Sequence, residues 1–430
     1  MSAELPRPSE PGSGGPPPRN LRMVAVMCLC EVLSMAAYGC YPALLPLLRD
    51  DWGLSNGTAG WISSAFFVGY VAAVPVLTGA TDRVDARRVY IGSLTLIALA
   101  TLGFGSFATG PVSAGLFQAL AGAGFAGSYM PGLKILSDHV RGPKASRAVA
   151  SYTACFSLGA GLSVWLAGLV AAAGGWQAGF WAAGVSAAMA LVLALVAVPA
   201  TPPPAPAAGI RHRPWWMPPD FRPVLRNRRA IAYTLAYAGH CWEMFGLRSW
   251  LVAFLVHAGA AAAWASSLGG AIIASGILTS FFGNEMAMRL GRRRWITVAM
   301  SVTAVLAGLT AAVAGAPLAL VLVVVAIYNL MVMADSASLT AGAVAESDPS
   351  VRGAAMAMHA LLGFGGAILS PITFGLALDG AGGDGDPLGW AAGFAVLAAG
   401  GLVGLAAFRR IGGDGPADPV RISREDGGNG

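Results

Sequence analysis

Residues 78–88 read T-G-A-T-D-R-V-D-A-R-R, a short charged turn between an apolar run ending near Leu77 and another starting at Val89. Two acids, Asp82 and Asp85, and three arginines, Arg83, Arg87 and Arg88, crowd into it. Residues 283–294, G-N-E-M-A-M-R-L-G-R-R-R, repeat the arrangement more weakly about half a chain later, with Arg289 and Arg292 among the basic groups. Two charged hairpins, each between greasy segments, predict a duplicated membrane protein.

The flanking runs are long enough to bear this out. The chain has 430 residues, 56% hydrophobic and 11% charged, with a mean hydropathy of +0.65; soluble proteins carry about 25% charged residues. A spanning helix needs about 20 apolar residues, because it rises ~1.5 Å per residue through a hydrocarbon core ~30 Å thick. Twelve runs qualify: 22–47, 57–79, 89–109, 112–136, 147–172, 178–198, 230–256, 264–284, 295–314, 317–341, 354–378 and 388–408. They are continuous rather than alternating, which favours helices over a barrel. The predicted fold is an all-α membrane protein of 12 transmembrane helices. The first run is too long for the apolar core of a signal peptide and reads as a retained helix.

The net charge of +6 would suit a nucleic-acid partner, but its placement argues against one. With the amino terminus inside, 25 of the 27 lysines and arginines fall on the inner connections and tails; Arg49 lies outside and Arg248 within a span. That is the positive-inside distribution. It predicts a cell (inner) membrane protein with both termini cytoplasmic. Cys28, Cys30, Cys40, Cys155 and Cys241 all sit in apolar runs without metal-ligand spacing and read as small buried groups. No metal site and no cofactor are expected. No G-x-x-x-x-G-K-[ST] occurs, which argues against ATP drive within the chain.

Composition divides the chain further. Residues 1–20 are rich in Pro, Gly and Ser and read as a disordered tail. A six-helix bundle is expected over 21–198, a Pro-rich and then basic linker over 199–229, a second bundle over 230–408 and a tail over 409–430. At an offset of 207 residues, N-L-R (20–22) falls on N-R-R (227–229) and Y-G-C-Y (38–41) on F-G-L-R (245–248). A six-plus-six duplication puts a solute site near the midplane, between the halves. Gly122, Gly124 and Gly127 in the fourth span, and Gly159 and Gly161 in the fifth, are small enough to let neighbouring helices approach closely.

Over residues 20–410 the chain resembles the major facilitator superfamily. Asp82, Arg83, Arg87 and Arg88 match the charged positions of that family's signature between helices 2 and 3, G-x-L-A-D-R-x-G-R-R; Gly79 comes one residue late and Asp85 stands at the later glycine. The second hairpin keeps Arg289, Gly291, Arg292 and Arg293 but has Met288 in place of the acid. In the fourth span, Gly122, Gly124 and Gly127 match R-x-x-x-G-x-G-x-x-G, with Gln118 instead of the arginine; the fifth-helix proline is missing near Gly159 and Gly161. The resemblance implies two pseudo-symmetric six-helix bundles that rock about a central site. It also implies a gating latch at the first hairpin. A carboxylate such as Asp82 is favourable at the positive N-terminal end of a helix, here the eleventh span near residues 350–353, and Arg83 or Arg87 would pair with Asp138.

Charge at membrane depth is costly and marks candidate sites. Glu31, His240, Glu243, Arg248 and Asp335 lie within the spans. His240 and Glu243, three apart, read as one helical face, and Glu31 shares a face with Tyr38, so these six are the candidates for substrate or proton binding. The function expected is secondary active transport of a small organic solute by alternating access, coupled to protons, by a monomer in the lipid bilayer. The acids favour a cation, and Arg248 equally admits an organic anion. The alternative from another class is a non-transporting receptor or sensor on the same scaffold. An enzyme is not expected, since no nucleophile–base pair or metal cluster stands out.

Overall fold

In a computed structural model of the chain, the described residues are 18–81, 83–140, 145–201, 220–348 and 351–412. Their regular structure is helical. The first span is α1 (Pro18–Ser34) continued by α2 (Ala36–Trp52) past a turn at Met35. α2 stops on Gly53, whose φ of 60° is the left-handed geometry that ends a helix without a Cβ clash. α3 (Asn56–Ala80) and α4 (Ala86–Phe107) flank the first hairpin. The fourth span is α5 (Pro111–Ala126) followed by α6 (Tyr129–His139). α7 (Ala145–Ala197) holds the fifth and sixth spans, because the chain reverses at Gly175 with φ 76° and ψ 176°.

The second half repeats this order after a short α8 (Arg222–Arg226): α9 (Arg228–His257), α10 (Ala262–Leu290), α11 (Arg292–Ala312), then α12 (Leu318–Met333) continued by α13 (Ser336–Glu346), α14 (Arg352–Gly380) and α15 (Pro387–Ile411). Eight segments among the described residues are long and apolar enough to cross a membrane. One of these, Arg147–Ala197, crosses twice; α5 with α6, α9 and α10 complete the twelve spans. Both basic hairpins lie at one end of the helices, the basic end; residues 53–55 and 108–110 turn at the far end.

The duplication is sharper in structure than in sequence. Adding 207 to the bounds of α5 and α6 gives those of α12 and α13 residue for residue, including the two-residue break between them. Apolarity alone does not register these breaks, since Gly127 and Ala334 are as apolar as their neighbours. A Cβ on Gly122 would strike the Phe66 carbonyl, and one on Gly69 the Ala119 carbonyl, so α3 and α5 touch backbone to backbone. Gly124 does the same for α4 at Ser93 and Ile97, and Gly127 makes room for the Ser93 side chain. Gly159 packs on Met35, and Gly161 meets the Gly270 carbonyl of α10, across the two halves.

The hairpins hold each half together. Asp85 caps α4, accepting from the Arg87 amide at 2.8 Å, and also from the Thr201 amide at 2.9 Å. Arg87 donates at 2.7 Å to the Val198 and Leu195 carbonyls, the orphan acceptors at the end of α7. Arg293 does likewise at the Gly412 carbonyl, 2.8 Å away, at the end of α15. The expected pairing of Asp138 with Arg83 or Arg87 is not formed: Asp138 pairs with Lys134 one turn earlier at 2.9 Å. Arg289 pairs with Glu285 at 2.7 Å; Arg83 and Arg88 are exposed and Arg292 is half-buried. Asp82 lies outside the described residues, as do 1–17 of the N-terminal tail, 202–219 of the linker and 413–430 of the C-terminal tail.

Candidate functional site

Arg248 occupies the centre. Twenty residues into α9, its long side chain leans back toward the helix start, as helical side chains do. The residue is 2% exposed. Its Nη2 donates to the Met333 sulfur of α12 at 3.3 Å, while Nε and Nη1 have no hydrogen-bond partner. No carboxylate among the described residues forms an ion pair with it. Aromatic rings surround it. The Phe156 ring of α7 lies 5.9 Å from the guanidinium carbon, and Tyr38 of α2 stands beside it. Tyr38 in turn packs on Phe66, Phe125, Phe156 and Phe245 with centroids 5.7–6.4 Å apart. Phe67 on Phe245 at 4.6 Å and Tyr70 on Phe364 at 4.2 Å continue this layer between the halves.

The other buried charges fall into three separate environments. His240 and Asp335 meet, Nδ1 to Oδ1 at 2.8 Å, with both side chains at most 3% exposed. Glu243 points elsewhere: it accepts from Thr303 of α11 at 2.9 Å and from Tyr328 of α12 at 3.3 Å, and packs on Gly401 of α15. The expected shared face of His240 and Glu243 is therefore divided, because three helical residues are still about 60° apart and reach different neighbours. Glu31 accepts from the Tyr152 hydroxyl at 2.9 Å within the first half, and the turn at Met35 separates it from Tyr38. Trp242 and Trp250 donate to the Val396 and Pro371 carbonyls.

At the far end the halves are tied by groups absent from the candidates read in the sequence. Asp379, near the end of α14, accepts from the Asn56 amide at 3.1 Å, the Asn56 side chain at 2.7 Å and the Gly57 amide at 2.8 Å. It thereby caps the N-terminus of α3. Arg49 and Asp384 pair at 2.8 Å beside it. Among the described residues, hydrogen bonds and ring contacts between the halves run from this end to the level of Tyr70 and Phe364. The available signal was an acid at the end of one span and an Asn-Gly start on another; nothing in the sequence pairs them. Met333 is likewise absent from those candidates, for the same reason.

The profile of the Major Facilitator Superfamily matches residues 27–371. A gentisate transporter of Corynebacterium glutamicum is 27% identical over 79% of this chain and 77% of its own length. Human protein spinster homolog 1 is 25% identical over 57% of this chain, and the matched stretch spans about half, 47%, of that protein. A gallate transporter of Pseudomonas putida is 25% identical over 50% of this chain and 44% of its own. Among solved structures, a bacterial homolog of the human lysosomal transporter Spinster superposes with a TM-score of 0.71 at 14% identity, covering 92% of this chain and 95% of the other.

Proposed function

The chain belongs to the Major Facilitator Superfamily, and from that premise we propose that it is a secondary active transporter of small aromatic carboxylates, moved together with a proton by alternating access. The observation that carries this reading is Arg248. A desolvated guanidinium with two unpartnered donors, Nε and Nη1, is costly, and a planar carboxylate takes one of them together with a second hydrogen of Nη2 in a bidentate contact. Phe156, Tyr38 and Phe245 offer faces to a flat ring. The gentisate and gallate transporters among the relatives carry cargo of this class. An anion crossing against a potential of about 100 mV costs ~2.3 kcal/mol, and a proton carried with it removes that cost.

Gating follows from reciprocal helix ends. Asp379 of α14 caps the start of α3 at the far end. Asp82, at the basic end of α3 in sequence, would serve the start of α14 in the opposite state, so the same two helices latch at either end in turn. The basic end is the cytoplasmic side, with both termini inside the cell membrane, and the domains are two rocking bundles over 21–198 and 230–408 joined by the linker. The monomer is the functional unit.

Flux into proteoliposomes under an inward proton gradient tests the reading, with benzoate, its hydroxy derivatives, aromatic amines and nucleosides as the panel. Uptake restricted to carboxylates, lowered at least tenfold by Arg248→Gln and partly kept by Arg248→Lys, is the expected result. Equal uptake of uncharged solutes by the wild type, or full activity in Arg248→Gln, would sink it.

A further inference from the structure

The break in the tenth span joins two buried groups of α9. α12 ends at Met333, which accepts from Arg248, and two residues later Asp335 stands against His240. Arg248 and His240 are eight residues apart, about 12 Å along the helix. The equivalent break in the first half holds Ser128, whose hydroxyl returns to the Phe125 carbonyl; the second break holds a carboxylate. Asp335 occupies the N-cap position of α13, where an aspartate ordinarily accepts from the first-turn amides. It makes no such bond and turns to His240 instead.

We propose that the His240–Asp335 pair is the proton-binding site of the transport cycle, and that the Ala334–Asp335 break couples its proton to the occupancy of Arg248. This rests on the anion reading above. With one proton held on either group, acid and imidazole sum to zero charge; without it the pair carries one negative charge. Arg248 is positive when empty and neutralised when a carboxylate sits on it. Two combinations are then neutral overall, empty with the proton lost and filled with the proton held. The mixed combinations leave a net charge in a medium of low polarity. Unit charges about 12 Å apart at an effective dielectric near 20 give a coupling of roughly tenfold. Anion and proton therefore favour each other's binding, reciprocally, and load and leave together.

The surroundings leave the pair free for this role. Tyr237 stacks on His240 at 5.7 Å and on His359 of α14 at 4.0 Å, and His359 lies 3.5 Å from the hydroxyls of Thr234 and Thr340 of α13. Cys241 and Glu243 are the neighbouring titratable groups on α9, and Glu243 is held by Thr303 and Tyr328. The imidazole Nε2 of His240 has no partner, which leaves a position for the proton to arrive or depart. Glu31, with one oxygen unpartnered, is the rival acid, but it lies in the first half against Tyr152.

Two assays on proteoliposomes containing the full chain separate the outcomes, with labelled 2,5-dihydroxybenzoate as the probe. One is accumulation driven by a pH gradient; the other is exchange of labelled for unlabelled probe at equal pH, which needs no net proton movement. Asp335→Asn and His240→Gln are expected to lose accumulation at least tenfold while exchanging within about threefold of wild type, and Asp335→Glu to recover part of the accumulation. Accumulation retained in Asp335→Asn overturns the proposal and leaves the anion reading standing. Loss of accumulation with retained exchange in Glu31→Gln alone overturns it too and moves the site to the first half. Both variants failing to exchange, though melting like wild type, would make the pair part of the exchange step and overturn it. Absence of exchange in folded wild type overturns the anion reading and this inference with it.

Discussion

Glu243 and Arg248 show how differently two buried charges on one helix are treated. Glu243 has donors on two other helices, so it serves as a strut inside the second half. Removing this acid leaves the Tyr328 hydroxyl without an acceptor, while Thr303 keeps the Met300 carbonyl at 3.0 Å, and opens a small cavity; each loss costs about 1–3 kcal/mol. Glu243→Ala is expected to lower the melting temperature in detergent by several degrees, and Thr303→Val to do so less. Glu243→Gln, whose amide oxygen accepts from one hydroxyl while its NH2 donates to the other, should transport at near wild-type rates; a complete loss of pH-driven uptake in a stably folded Glu243→Gln would instead give it a part in coupling. Charge at depth singled out Glu31, His240, Glu243, Arg248 and Asp335 in the sequence, but apart from His240 and Asp335, which meet each other, their partners were not visible there. Thr303, Tyr328 and Tyr152 are ordinary span residues by composition, and only their positions across the bundle make them donors.

At the level of helices, the proposed alternation turns on α3 and α14. A capping carboxylate is worth about 1 kcal/mol, or roughly a fivefold change in a two-state population. Asp379→Asn is therefore expected to weaken closure of the far end. A cysteine placed at Gly60, where α3 meets the Pro371 carbonyl, would clash; Thr58, exposed beside the cap only in part, is the better reporter. Labelling of Thr58→Cys by an impermeant maleimide should rise a few-fold in Asp379→Asn, and an unchanged rate would show that the cap is not a latch. Gly161 gives a steric counterpart. Its contact with the Gly270 carbonyl leaves no room for a side chain, so Gly161→Leu should force α7 from α10, lower the yield of folded protein and abolish flux. Wild-type flux in that variant would contradict the packing. The glycines were legible as a pattern in the sequence, but which helix each one admits was not. A missing Cβ permits an approach without naming the partner.

For the whole molecule, the repeat of α5 and α6 in α12 and α13 at a constant offset means that both halves rest on one architecture while their chemistry has diverged. Arg248, the His240–Asp335 pair and Glu243 all belong to the second half, and the first contributes aromatic faces and Glu31. The second half is thus expected to set cargo and coupling. Topology is a prediction at this scale: an impermeant thiol reagent on whole cells should label a cysteine at Asp51 and spare one at Arg226, and the reverse pattern would invert the assignment of the basic end.

The sequence by itself determined the number of spans, the duplication and the presence of charge at depth. Those depend on apolar length and on where charged residues fall, both of which are local along the chain. The tertiary structure alone decided that Asp138 pairs with Lys134, that His240 and Glu243 serve different neighbours, and that Asp379 closes on α3 more than 320 residues away. In lipid the helices gain little from burying apolar surface against one another. Their arrangement comes instead from close backbone approach and a few polar contacts between distant residues, and neither leaves a periodic trace in the chain.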